Sequence, residues 1–96
     1  LAARRLEIKI LYELQSPILE SKIEAFKVYI FRLSQTKLPD KPKEGNNNFL
    51  DLLRQVIHPK TYHNPERAQK LLDKLAEKKV VAERDWLEAK LAALAS

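Results

Sequence analysis

The sequence predicts an all-α fold, a compact bundle or orthogonal array of about five helices with a C-terminal helical hairpin. Apolar residues recur at three- and four-residue spacings along most of the chain, which is the helical period. Five prolines and a single glycine punctuate these segments, and both residue types interrupt helices. The 96 residues are 45% hydrophobic, enough for one domain with its own core. We therefore predict a single helical domain over residues 1–96.

The first helix is predicted over residues 6–15. Its apolar stripe consists of Leu6, Ile10, Leu11 and Leu14. A strand is the alternative, because Ile8, Ile10 and Tyr12 alternate with other residues, but the Glu, Lys and Leu content favours a helix. Ser16 and Pro17 then form the pattern of an N-cap followed by proline at the first helical position. This pattern predicts that a second helix starts there.

The second helix, over residues 17–36, carries the strongest periodicity in the chain. Its stripe is Leu19, Ile23, Phe26, Ile30 and Leu33, at alternating spacings of four and three. Val28, Tyr29 and Phe31 widen the apolar coverage, which predicts burial on more than one side. We expect this helix to be the centre of the fold.

Residues 38–48 predict an internal flexible loop. The segment LPDKPKEGNNN contains two prolines, the only glycine and three asparagines, all of which disfavour regular structure. Asn48 is then a candidate N-cap for a third helix that ends before Pro59. The inward face of this helix is predicted to be Phe49, Leu52, Leu53, Val56 and Ile57.

Asn64 and Pro65 repeat the cap-plus-proline pattern and predict a fourth helix that runs to about Lys79. Its inward residues are predicted to be Ala68, Leu71, Leu72 and Leu75. Val80 and Val81 form a short hinge, and a fifth helix is predicted from about Ala82. Its inward residues are predicted to be Trp86, Leu87, Leu91 and Leu94. The short connection predicts that these two helices form a hairpin.

Composition excludes several classes of site. The chain has no cysteine, which excludes disulfides, thiolate metal sites and cysteine nucleophiles, and fits a reducing compartment. No apolar run approaches the roughly 20 residues of a membrane span. We expect a soluble, cytoplasmic domain without a membrane partner. The sequence begins with Leu1 and lacks methionine, which we interpret as a fragment of a longer protein.

His58 and His63 are the only pair that hints at chemistry. They lie five residues apart across Pro59, so they do not share a helix face as zinc-binding histidines spaced by four do. The preferred interpretation is an exposed or capping pair in a helix–helix connector. One glycine cannot build a phosphate-binding loop, and no serine has a nucleophile signature. We predict no catalytic, metal-binding or cofactor-binding residue and no enzymatic activity.

Basic residues provide the alternative function. The chain has 18 basic and 13 acidic residues, a net charge of +5. In the fourth helix, Arg67, Lys70, Lys74 and Lys78 recur at three- and four-residue spacings, and Lys79 and Arg84 extend this patch. Such a row can neutralise phosphates of DNA or RNA without selecting a sequence. Interleaved acidic residues also fit an ordinary salt-bridged helix surface.

Aromatic residues offer a protein-binding alternative. Tyr29, Phe31 and Tyr62 are of the type enriched at interface hot spots, although Tyr29 and Phe31 also fit a doubly buried helix. Trp86 is assigned to the core. The sequence thus predicts a non-catalytic helical protein-interaction or assembly module that binds a protein partner or a neighbouring domain. The alternative is a nucleic-acid-binding helical domain, and a histidine-dependent site ranks last.

Overall fold

The structure, a computed structural model, describes residues 1–96 and contains five α-helices, one 3-10 turn and no strand. The elements are α1 (Ala2–Glu13), α2 (Leu19–Ser34), α3 (Asp40–Val56), the 3-10 turn Pro59–Thr61, α4 (Pro65–Glu77) and α5 (Arg84–Ala95). The helices α4 and α5 pack together. The predicted all-α class, with about five helices and a C-terminal helical hairpin, is confirmed. None of the helices combines the length and apolar character required to cross a membrane.

Internal contacts divide the chain into two compact units, Leu1–Leu38 and Pro39–Ser96. The first unit consists of α1 packed against α2. The second unit consists of α3, the 3-10 turn, α4 and α5, and in it α3 contacts both α4 and α5.

The turn between α1 and α2 differs from the predicted serine–proline cap. Gln15 has left-handed backbone (φ 51°), and the Ser16 N–H donates to the Leu11 carbonyl at 3.0 Å. The Ser16 hydroxyl accepts a hydrogen bond from the Ile18 N–H at 3.3 Å, two residues along the chain as in a serine cap, but Ile18 itself precedes the helix. Ser16 therefore stabilises the turn, and α2 begins only at Leu19.

The predicted loop at residues 38–48 is wrong, because α3 begins at Asp40. Pro42 lies in the first turn, where an amide N–H would have no partner within the helix. Asn46 is buried, and its Nδ2 donates to the Pro42 carbonyl at 2.7 Å. The asparagine side chain is thus hydrogen-bonded inside the unit instead of favouring a loop.

Contacts from the α4–α5 connection explain why this unfavourable sequence is helical. Residues 78–83, here called the strap, cross α3 at Gly45, where the Ala82 N–H donates to the Gly45 carbonyl at 3.0 Å. Asn48 Nδ2 donates to the Val80 carbonyl at 2.9 Å. A Cβ at Gly45 would lie 3.2 Å from Val80 Cγ1, so glycine permits this close approach. Tertiary contacts here outweigh low helix propensity.

The predicted start of α4 is confirmed. Asn64 is the N-cap, its Oδ1 accepts a hydrogen bond from the Arg67 N–H at 3.1 Å, and Pro65 occupies the first helical position. The predicted end is too late, since α4 ends at Glu77 and Lys78 has extended backbone.

Most of the predicted core is confirmed. In the first unit the buried members are Leu19, Ile23, Phe26 and Ile30. In the second unit they are Phe49, Leu52, Leu53, Val56, Ala68, Leu71, Leu75, Leu87 and Leu91. Five predicted members are only half-buried: Leu33, Ile57, Leu72, Trp86 and Leu94. The Trp86 ring meets the buried Phe49 ring edge to face, with centroids 6.2 Å apart.

Candidate functional site

The predicted basic face of α4 is formed only in part. Lys70 and Lys74 are exposed on the helix, and neither has an ion-pair partner. Lys79 is also exposed, but it lies in the strap. Lys78 follows the end of α4 with extended backbone, so the helical period does not carry it onto the row. Two lysines, instead of four basic residues, are exposed on this helix face.

The Arg67 side chain forms a hydrogen bond within the second unit. Its Nε donates to Thr61 Oγ1 at 2.9 Å. Thr61 is fully buried, and its hydroxyl donates in turn to the Gln55 carbonyl at 2.6 Å. Arg67 thereby ties the start of α4 to the 3-10 turn and the end of α3, and contact with a phosphate through Nε would require this bond to break.

Arg84, predicted to extend the basic patch, instead caps the end of α4. Its Nη1 donates to the Leu75 carbonyl at 2.7 Å, and its Nη2 donates to the Lys78 carbonyl. The last carbonyls of a helix have no partner within it and attract cations. The sequence signal for this role was the absence of a capping glycine at the end of α4, since glycine is the usual residue there.

The two histidines have separate local roles. His58 is the N-cap of the 3-10 turn, and its Nδ1 accepts a hydrogen bond from the Lys60 N–H at 3.1 Å. The capping role predicted for this connector is thus confirmed for His58. His63 has left-handed backbone (φ 59°) directly before the N-cap of α4. No group of three or more His, Cys, Asp or Glu residues is placed to hold a metal ion.

The expectation that α2 is buried on more than one side is wrong. The Phe31 side chain is 60% exposed, and Val28 is exposed as well. Tyr29 is half-buried, with the Arg4 guanidinium 3.8 Å from its ring centroid. The apolar residues outside the main stripe of α2 therefore contribute to the surface.

The outward face of α1 was not identified from the sequence. Leu6, Ile10 and Leu14, here called the α1 stripe, are 54%, 49% and 71% exposed. Ile8, which lies about 200° around the helix from Ile10 at about 3.6 residues per turn, is buried. The residues that best predicted this helix thus point to solvent, while a residue off that stripe enters the core.

Two polar contacts join α1 to α2 beside the buried Ile8 face. Lys22 Nζ lies 3.8 Å from Glu7 Oε1, and Arg4 lies over the Tyr29 ring. With Glu7 and Arg4 directed to α2, the α1 stripe remains uncovered. The sequence signal that could have revealed it is the presence of apolar residues on two opposite sides of one short helix.

Large exposed apolar side chains are concentrated in the first unit. These are Leu6, Ile10, Leu14, Ile18, Val28 and Phe31, against Tyr62 alone in the second unit. Comparison with protein-family models, with curated proteins and with solved structures finds no significant match for this chain.

Proposed function

We propose that this chain is a non-catalytic helical protein-interaction module and that the α1 stripe is its contact surface. One observation carries the proposal: α1 has apolar residues on two opposite faces, of which only the face with Ile8 is buried. A helix that serves the core alone needs one apolar face. The second face is explained by a partner that covers it.

The form of the exposed surface supports this proposal. Single exposed apolar side chains are ordinary, but Leu6, Ile10 and Leu14 form a row with a spacing of about 6 Å along the helix. Burying one such side chain fully is worth roughly 1.5–3 kcal/mol. Rows of this kind are the anchors by which helices are recognised in protein complexes.

The alternative remains a nucleic-acid-binding helical domain that uses Arg67, Lys70, Lys74, Lys78 and Lys79. The net charge of +5 and the exposure of three of these lysines support it. We rank it second because Arg67 is hydrogen-bonded to Thr61 and Lys78 leaves the helical row. Fewer cations are then available to contact neighbouring phosphates together. We assign either function to the cytoplasm, since a chain without cysteine fits a reducing compartment.

Site-specific photo-crosslinking in cells tests the proposal. A photoreactive residue is introduced at Leu14 of the full-length protein, and the matched control carries it at Ala92, an exposed position on α5. We expect a discrete protein adduct from position 14 and none from position 92. The additional substitution Ile10→Glu should remove the adduct by placing a charge within the contact. Equal yields at both positions, or no adduct at position 14, would contradict the proposal.

A further inference from the structure

We draw no further inference here: the strongest candidate, the α1 stripe on the exposed side of the first helix, carries nothing because Glu7, Lys9 and Glu13 beside it already interact within the chain and nothing in the structure shows what covers it.

Discussion

In the second unit, polar side chains form hydrogen bonds to backbone carbonyls of other segments. In the first unit, several large apolar side chains are exposed to water. In the second unit, Arg84 caps α4, Asn48 holds the strap, and Thr61 joins α3 to the 3-10 turn. In the first unit, Leu14 and Phe31 are 71% and 60% exposed. The two units therefore differ in how much large apolar side-chain surface they expose to water.

This difference indicates where binding free energy is available. A backbone carbonyl that already accepts a hydrogen bond within the chain has little to gain from a partner. An apolar side chain in water gains in proportion to the area that a partner covers. In our proposal the α1 stripe of the first unit is therefore the contact surface, whereas the polar contacts of the second unit act within the chain.

The largest effect is expected from core substitutions, which should be alike in both units. Phe26→Ala in the first unit and Phe49→Ala in the second each remove a buried ring and should cost roughly 3–5 kcal/mol of unfolding free energy. Urea unfolding followed by circular dichroism measures both. An unfolding curve unchanged by Phe26→Ala would mean that the first unit has no core at this position.

The next largest effect should be specific to the second unit. Arg84→Ala leaves the Leu75 and Lys78 carbonyls without these donors, and hydrogen bonds to charged groups contribute about 1.5–3 kcal/mol. The matched control is Lys79→Ala, which removes an exposed cation from the same strap and should change stability by no more than about 0.5 kcal/mol. Equal losses in the two variants would show that Arg84 acts as a general surface charge.

Elements specified by local chemistry were predicted well from the sequence. Asn64 and Pro65 defined the start of α4 because the cap and the proline act within one turn. The regular apolar spacing of α2 predicted its buried face, including Phe26 and Ile30. In both cases the residues that decide the structure are neighbours in the sequence.

The Ser16–Pro17 pattern placed the start of α2 two residues too early, but the larger errors occurred where residues distant in sequence decide the structure. Gly45 favours a loop by propensity, but its carbonyl accepts a hydrogen bond from Ala82, 37 positions later, and the segment is helical. Arg84 was assigned to a basic patch because the helix end that it caps could not be located. For the candidate site, periodicity identified the α1 stripe as apolar, but it could not show that Ile8 would enter the core instead.

A smaller effect is expected at the connector. His58→Ala removes the side-chain acceptor for the Lys60 N–H and should cost about 1 kcal/mol, the usual net value of one hydrogen bond. Stoichiometric zinc should leave the melting temperature unchanged, because a structural zinc site needs four ligands. Saturable stabilisation by zinc that is abolished by His58→Ala and by His63→Ala would instead support a metal site at the two histidines.

Lys70 and Lys74 distinguish the two proposed functions. Changing both to glutamate should alter the unfolding free energy by no more than about 1 kcal/mol, because both side chains are exposed and exposed charge contacts contribute little. At physiological salt we expect only weak, non-specific binding of labelled DNA or RNA, with a dissociation constant of about 10⁻⁴–10⁻⁶ M. Sub-micromolar binding that falls steeply with salt and is lost in the double variant would favour the nucleic-acid alternative.

The smallest effect is expected at Leu14, and this prediction tests the comparison most directly. Leu14→Gln should change the unfolding free energy by no more than about 0.5 kcal/mol, the usual range for surface positions. The residue is large and apolar, but most of its area is already in water, so folding gains little from it. Urea unfolding of Leu14→Gln and of Phe26→Ala compares the loss at an exposed position with the loss at a buried position of the same unit. A loss above about 2 kcal/mol would show that the chain itself covers Leu14, because only a buried leucine is worth that much. The exposed row would then belong to the core, and the proposal that the α1 stripe is a contact surface would fail.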